Sequence, residues 1–423
     1  MTCSSRSRQR GGASLLVTIV LLFVMTLIAA FANRNLVFAE RISANQYRAT
    51  RAFEAAEAGV EWTLAMLNNG QPLGAGCRPG SAAGDRSFRE RFLRYDTATA
   101  THAPVTWNNG STTEPLRSAC VRAGDGWACG CPSSGHPAPA APTDDGLHAA
   151  FVVQFERDAS AGLLQLIATG CTGLAGPCAP GGGTSTDASA RVQVAVGLVP
   201  GLVTPPAAPL TVRDSVDAGA AALGLHNADA ESVGLAVHAG AAVVAPAARI
   251  TSAPGGVASQ AMVEHDASLR ALGPDQFFAT YFRLSKTAWR DQPAATRVVC
   301  HGNCSATLIE AIGDGTSNRL IWIDGDLQLD APLVLGTRER PVILVATGAV
   351  ELRGPIAIHG LVYAAAIEWN DSGSGAMLRG AAIAEGGYSG NGAPDFVYDA
   401  AVLAALRGNT GSFARVPGSW KDF

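Results

Sequence analysis

The sequence predicts an α+β fold: a long amino-terminal helix, a small antiparallel sheet and a carboxy-terminal β-rich domain built as a β-solenoid. Three observations lead to this prediction. Residues 13–68 keep a helical pattern without a proline, three strand patterns follow between residues 150 and 198, and another strand pattern recurs after 23 residues further along the chain. With 423 residues, the chain is long enough for two or three domains.

Residues 13–32 form an apolar stretch with no charge, proline or glycine. As a helix, this stretch is about 30 Å long, the thickness of the hydrocarbon core of a bilayer. Arg6, Arg8 and Arg10 precede it, so the positive-inside rule places the short amino-terminal tail in the cytoplasm and the bulk of the chain outside. A cleaved secretory signal is the alternative, because residues 30–32 (AFA) have the small-x-small form of a signal-peptidase site.

The helical pattern continues past this stretch without a break. One face carries apolar residues at helical spacing, namely Ile42, Ala49, Phe53, Ala56, Val60, Leu64 and Leu67. The opposite side carries charged residues, namely Arg41, Arg48, Arg51, Glu54, Glu57 and Glu61. We therefore expect a single helix over residues 13–68, about 84 Å long. This continuity favours a retained anchor over a cleaved signal.

Three short motifs carry a family resemblance: residues 10–16 (RGGASLL), 39–42 (AERI) and 52–58 (AFEAAEA). A basic leader ending in glycine, an apolar stretch and an amphipathic helix resemble the amino-terminal layout of type IV pilins, and most closely that of PilX-type minor pilins. The resemblance covers residues 10–68. Val17 departs from it, because major pilins usually have glutamate at the fifth position after the cleavage point. This departure suggests a subunit that is not the repeating unit of the polymer.

The resemblance implies how the chain is processed and where it acts. Prepilin peptidase would remove residues 1–12 as a leader by cutting between Gly12 and Ala13, and Ala13 would become N-methylated; cleavage after Gly11 is the alternative. The expected partners of the helix are other minor and major pilins. The chain would lie in the inner membrane before assembly, with its bulk in the periplasm, and in a pilus or at the cell surface afterwards, contributing to priming, the tip or surface display.

Two other functions stay open at this point. A tip pseudopilin of a type II secretion system shares the missing glutamate, and genomic context would separate it from a pilus subunit. A secreted β-solenoid protein acting on carbohydrates would instead lose residues 1–32 as a signal peptide, and its mature chain would begin at Asn33.

The middle of the chain predicts a small disulfide-bonded domain over residues 70–200. Residues 70–148 are rich in glycine, proline, serine and threonine and are expected to be loop-like. Strands are predicted at 150–156, 163–169 and 191–198, as a three-stranded pilin-like sheet that covers the apolar face of the helix. The residues Pro200-Gly201 and Pro205-Pro206 mark a linker to the domain at 201–423.

The nine cysteines indicate an oxidising compartment. Cys3 belongs to the leader, which leaves an even number. Spacing suggests the pairs Cys171–Cys178 and Cys300–Cys304. The remaining four would pair among themselves, without a bond between the near neighbours Cys129 and Cys131; they are Cys77, Cys120, Cys129 and Cys131. A metal site that includes His301 is the alternative, although the spacing fits neither a zinc finger nor haem attachment.

An internal repeat predicts the solenoid. Residues 325–335 align with residues 348–358 at an offset of 23, with matching glycine, proline and four aliphatic positions. A flat sandwich is the alternative. A helix is expected over residues 274–289, and its aromatic residues are assigned to core packing or to capping the end of the solenoid rather than to ligand binding; they are Phe277, Phe278, Tyr281, Phe282 and Trp289.

Nothing in the sequence predicts an enzyme. Asp324, Asp326 and Asp330 lie close together but lack the rest of a calcium loop, and we assign them, with Glu368 and Asp371, to solvated turns. No catalytic residue, metal site or cofactor is expected. The net charge of −4, without a long basic tract, argues against nucleic-acid binding. The expected work of the protein is structural and associative.

Overall fold

The computed structural model describes residues 12–140, 142–143, 146–160, 162–179, 188–300, 302–312, 319–370 and 375–422. The expected leader therefore lies outside the described residues except for Gly12, and so do Cys3, His301 and Asp371. Within these ranges the fold is α+β, with a long apolar helix, antiparallel sheets and parallel sheets.

Helix α1 (Gly12–Asn68) is continuous over 57 residues, as the periodicity predicts. Residues 12–47 are exposed, whereas the last part of the helix lies on an antiparallel sheet. The buried residues are mostly small: Ala52, Ala55, Ala56, Gly59, Val60, Thr63 and Leu67. Of the predicted apolar face, Ala56, Val60 and Leu67 are buried and Phe53 and Leu64 are half-buried. Ile42 and Ala49 are exposed.

Residues 70–148 are not a loop region, and the prediction was wrong here. They contain α2 (Phe88–Phe92), β1 (Leu93–Asp96), β2 (Thr101–Pro104), β3 (Thr106–Asn108), β4 (Thr113–Pro115), β5 (Ser118–Ala123) and β6 (Gly126–Gly130). Strands of three to six residues are too short to show a clear two-residue period in a sequence. They pair as hairpins, and β5 joins the main antiparallel sheet.

The antiparallel sheet is larger than predicted. Its three predicted strands are β7 (Ala150–Arg157), β8 (Leu163–Cys171) and β9 (Ser189–Pro200). The hairpin β5–β6 extends the sheet beyond β7. On the other side, two strands from the end of the chain, Gly411–Arg415 and Lys421–Asp422, pair with β9. Two strands beyond the domain boundary predicted at residue 200 thus belong to the sheet of the domain that precedes this boundary.

Among the described residues there are four disulfides: Cys77–Cys131, Cys120–Cys129, Cys171–Cys178 and Cys300–Cys304. The last two are the pairs that the spacing suggests, and the other four cysteines pair among themselves. Cys120 and Cys129 lie opposite each other in the hairpin β5–β6. A short 3₁₀ helix, Gly176–Cys178, contains one end of the third disulfide.

The remaining elements are mostly short strands. The first group comprises β10 (Leu210–Val212), β11 (Val216–Asp217), β12 (Gly224–His226), β13 (Val237–Ala239), β14 (Val243–Val244), β15 (Arg249–Thr251), a 3₁₀ helix (Ala258–Gln260) and β16 (Met262–Val263). Three helices follow: α3 (Ala267–Ala271), α4 (Pro274–Phe282) and α5 (Lys286–Arg290).

The second group begins with β17 (Ala295–Val299), β18 (Gly302–Asn303) and α6 (Ser305–Ile312). It continues with β19 (Arg319–Asp324), β20 (Leu327–Leu329), β21 (Leu333–Leu335), β22 (Val342–Ala346), β23 (Ala349–Leu352), β24 (Ile356–Ala364), β25 (Ala366–Trp369), β26 (Met377–Ala384), β27 (Tyr388–Ser389) and β28 (Asp395–Val397). The chain ends with α7 (Ala400–Asn409), β29 (Gly411–Arg415) and β30 (Lys421–Asp422).

Two parallel sheets contain most of these strands. The first sheet follows the order β15-β12-β28-β26-β24-β22-β19-β17, and the second follows β14-β11-β27-β25-β23-β20-β18. Leu327 pairs with Val350 and Leu333 pairs with Ile356, so the strands of these two pairs are related by the 23-residue offset of the repeat. One apolar cluster contains residues of both sheets, including Leu344 and Leu352.

The strand order differs from the order in the chain. Strands β10–β12 pair with β26–β28, so the first strands of this region lie beside its last ones. Strands β13–β16 extend from there towards one end of the sheets. After α3–α5, the chain resumes at the opposite end with β17 and β18.

The helix predicted over residues 274–289 is two helices. Arg283 has a left-handed backbone (φ 56°) that ends α4, and the Ser285 hydroxyl caps α5 by accepting from the amide of Ala288. Phe278, Phe282 and Trp289 are buried with Ile343 and other residues of the first parallel sheet. The aromatic residues thus have a packing role, but they cover a face of this sheet and not the end of the predicted solenoid.

Candidate assembly helix and its attachment

The first part of α1 presents apolar side chains in every direction. Between Leu15 and Ile28 the large apolar residues are 43–67% exposed, and Phe31 is 58% exposed. The polar groups in this part are already satisfied, because the hydroxyls of Thr18 and Thr26 donate to carbonyl oxygens one turn earlier, at Ser14 and Leu22. Such a surface is suited to lipid or to other apolar helices rather than to water.

Among the described residues, α1 is the one helix that is long and apolar enough to cross a membrane. Gly12 and Ala13 are its first described residues, and both are exposed. Val17 is 56% exposed and lies among the other apolar residues of the stretch. An apolar helix at this end is consistent with membrane anchoring, while processing and methylation at Gly12 and Ala13 stay predictions.

The second part of α1 lies very close to the sheet. A side chain at Gly170 of β8 would overlap the backbone of Ala52 and Ala56, and one at Gly59 would come within 3.1 Å of the Phe151 ring. The hydroxyl of the buried Thr63 is paired at this contact, because it donates to the Gly59 carbonyl at 2.6 Å. The sequence signal is the run of alanine and glycine in the buried half of the helix.

Arg89 fixes the end of α1 to the end of the chain. Its guanidinium donates to the carbonyl oxygens of Leu67 (3.2 Å), Asn409 (3.2 Å) and Gly411 (2.7 Å), and lies 4.9 Å from the centre of the Phe413 ring. Leu67 and Asn409 belong to the last turns of α1 and α7, where a cation also stabilises the negative end of each helix. Burial lowers the pKa of Arg89 to about 10, which leaves it charged near neutral pH.

His102 lies beside this arginine. Its Nε2 atom is 3.1 Å from the side-chain oxygen of Asn409, and its ring contacts those of Tyr95 and Phe413. Burial and the nearby positive charge of Arg89 lower the pKa of His102 to about 4. The histidine is therefore neutral near pH 7, so it adds no second positive charge beside Arg89.

The aspartates considered for a calcium loop have separate structural partners. Asp326 accepts from the amide of Ala349 at 2.8 Å, and Asp324 accepts from the indole of Trp322 at 2.8 Å. Asp330 accepts from the side chain of Asn303 on a neighbouring strand. Within the described ranges, no group of three or more His, Cys, Asp or Glu side chains is arranged to hold a metal ion.

Sequence reasoning did not find Arg89 or His102. A single arginine or histidine in a region of short elements gives no periodic signal, and Asn409, the partner that the two residues share, lies more than 300 positions away from both. The capping box at the start of α2 was the available signal: Ser87 accepts from the amide of Glu90, whose side chain reaches back to Ser87. It predicts a helix that contains Arg89, but not what Arg89 binds.

Comparison with known proteins gives the class of the amino-terminal segment. Residues 10–61 match the PilX N-terminal family. The resemblance of the sequence to PilX-type proteins of the type IV pilin class is therefore confirmed over that segment.

A solved structure gives a second, weaker similarity, to the competence-associated pilin ComZ from Thermus thermophilus. The identity is 12%, the TM-score is 0.22, and the match covers 89% of this chain and 97% of that chain. At these values, the similarity does not extend the assignment beyond residues 10–61. No curated protein sequence matches this chain.

Proposed function

We propose that this protein is a minor pilin-like structural and assembly component of a type IV pilus, acting in priming, at the tip or in surface display. The observation that carries the proposal is the contrast along α1. Its apolar residues are all exposed up to Tyr47, whereas buried apolar residues occur from Ala52 onward, where the helix lies on the sheet. The second part of α1 is therefore packed on the antiparallel sheet, whereas the apolar side chains of its first part need a different apolar environment.

Two environments suit the exposed half of α1. Before assembly, residues 13–32 fit the hydrocarbon core of the inner membrane, with the bulk of the chain in the periplasm. On leaving the bilayer, the same side chains need other apolar helices around them, because water would otherwise hydrate the whole stretch. Other minor and major pilins are the proposed partners. We further propose that prepilin peptidase cuts between Gly12 and Ala13 and that Ala13 is N-methylated.

We interpret the parallel sheets of the carboxy-terminal half as a β-solenoid that is displayed outward. The parallel pairing at a 23-residue offset and the apolar cluster between the two sheets support this interpretation. The role proposed for this domain is structural rather than enzymatic. The engaged carboxylates at Asp324, Asp326 and Asp330 agree with that role.

The secreted carbohydrate-active alternative fits the structure less well. Cleavage between Ala32 and Asn33 would fall inside α1, which continues as a helix for 36 further residues to Asn68. Exposed apolar residues such as Leu36, Phe38 and Ile42 would remain on the secreted product. A tip pseudopilin would use the same helix in the same way. The cellular location of the protein, and not the geometry of α1, therefore distinguishes a pseudopilin from a pilus subunit.

The test is fractionation of cells that make the full chain. We expect the protein in the membrane and in filaments sheared from the cell surface. Leu22→Glu places a charge in the apolar stretch and is expected to remove the protein from the filaments, whereas Val334→Glu, at a residue 68% exposed on the carboxy-terminal domain, serves as the control. Absence of the unaltered chain from filaments would contradict the proposal, and normal incorporation of Leu22→Glu would contradict the role given to α1.

A further inference from the structure

A cleft of about 480 Å³ lies where α1 enters the globular body, between the helix and the hairpin β5–β6. Its lining combines cations with large apolar side chains: Tyr47, Arg48, Arg51, Arg122, Trp127 and Leu147. It begins at Tyr47, where the exposed half of α1 ends, so it is continuous with the proposed assembly surface.

The described lining of the cleft contains more cationic side chains than carboxylates. Three arginines face a single carboxylate in the lining, Glu54, which lies 3.4 Å from Arg51. The guanidinium of Arg122 lies 5.9 Å from the centre of the Trp127 ring, and that of Arg51 lies 5.3 Å from the centre of the Tyr47 ring. These contacts hold two of the cations at the cleft.

The apolar part of the lining is accessible. Tyr47 is 55% exposed and Leu147 is 58% exposed, although both are large apolar residues. Trp127 has one side against the buried Phe151, at 4.7 Å between ring centres. The cleft therefore offers a rigid aromatic wall together with the arginines, a combination that suits a segment with both carboxylates and apolar side chains.

The position of the cleft argues against lipid as the occupant. Arg48 follows the end of the apolar stretch at Ala32 by 16 residues. Along a helix this distance is about 24 Å, which places Arg48 well beyond the headgroups if α1 stands upright in the bilayer. An element of a neighbouring subunit that runs beside α1 would reach the cleft.

We propose that this cleft binds an acidic stretch of the amino-terminal helix of an adjacent pilin-type subunit. The inference rests on the proposed function and adds the contact that sets the position of one helix along the other. Helix α1 of this chain itself carries such a stretch, with exposed carboxylates at Glu54, Glu57 and Glu61. A neighbouring helix parallel to α1, and shifted along it, brings carboxylates to the level of Arg48 and Arg122.

Photo-crosslinking in cells that assemble filaments tests this proposal. The full chain carries p-benzoylphenylalanine in place of Leu147, and the crosslinked peptides are identified by mass spectrometry. We expect a crosslink to the amino-terminal helix of a pilin-type subunit, within one turn of an acidic residue. The double variant Arg48→Glu, Arg122→Glu should lower the crosslink yield about tenfold or more, because like charges then face each other.

The matched control is Arg157→Glu, at an exposed arginine on the end of β7 and outside the cleft lining. It should leave the crosslink yield unchanged. A crosslink to lipid, to a protein outside the pilin class or to an extended segment would overturn the proposal, as would an undiminished yield in the double variant. Protease resistance of the body, compared between variants, verifies that the substitutions leave the fold intact.

The same samples separate this inference from the proposed function. If the chain is present in sheared filaments but gives no crosslink to a pilin-type helix, the cleft assignment fails and the proposed function stands. If the chain is absent from filaments, both fail.

Discussion

The side-chain amide of Asn68 pairs with the backbone of Phe413 as a strand residue would. Its Nδ2 atom donates to the Phe413 carbonyl at 2.9 Å, and the Phe413 amide donates to its Oδ1 atom at 2.8 Å. Nδ2 also donates to the carbonyl of Leu64 at 2.9 Å, which belongs to the last turn of α1. One side chain thus ends α1 and joins it to β29, a strand 345 positions further along the chain.

Asn68→Asp should destabilise the protein by about 2 kcal/mol, because the carboxylate loses both donated hydrogen bonds and faces two carbonyl oxygens. Urea unfolding of the detergent-purified chain measures the change. Asn45→Asp, at an exposed position of the same helix, is the control and should change stability little. Equal stability of the two variants would contradict the bridging role of Asn68.

Arg89→Lys should destabilise the protein by about 2–3 kcal/mol although it keeps the charge, because an ammonium group cannot reach all three carbonyls that the guanidinium binds. The same unfolding measurement applies. Arg86→Lys, at an exposed neighbour, controls for the loss of a guanidinium. A decrease of less than about 0.5 kcal/mol in the free energy of unfolding would show that the three contacts contribute little to stability.

Gly170→Ala should be strongly destabilising, by about 3 kcal/mol or more, since the new methyl group overlaps the α1 backbone at Ala52 and Ala56 and the helix must move away from the sheet. The control is Gly173→Ala, where the nearest atom to the new carbon is 4.0 Å away. Hydrogen exchange of α1 reports the effect directly. Unchanged protection of residues 52–67 would contradict the close packing described here.

Acid should weaken the fold through His102. Its pKa is about 4 in the folded protein, below the ordinary value of about 6.5, so the unfolded chain binds a proton first as pH falls. Stability is then lost between about pH 6.5 and pH 4, by up to about 3 kcal/mol from this group. His102→Gln should show a smaller loss between pH 7 and pH 5 than the unaltered chain. An identical pH dependence of the two would rule out this assignment.

Local patterns in the sequence predicted part of the fold well. The periodicity of short stretches of sequence predicted helix α1 and strands β7–β9, with bounds within a few residues of those in the structure. The 23-residue repeat predicted the register between Leu327 and Val350. The break at Arg283 was missed, because the aromatic residues on both sides of it suit a single helix.

Contacts between distant parts of the chain could not be predicted in this way. The pairing of Arg415 with Val196 and that of Leu225 with Phe396 join segments whose own patterns do not indicate a partner. The attachment of α1 depends on such contacts, through Asn68 and Arg89. The exposed apolar half of α1 needs no distant partner within the chain, and it is the part that the sequence predicted most completely.

The mass of the mature amino-terminal peptide tests the central claim most directly. The protein recovered from membranes or filaments should begin with N-methylated Ala13 and should retain the apolar stretch 13–32. A mature chain that begins at Asn33 would show that this stretch is a discarded signal, and one that begins at Met1 would show that prepilin peptidase does not process the protein. The first result would contradict the assignment of α1 as a retained helix, and the second would contradict the proposed processing between Gly12 and Ala13.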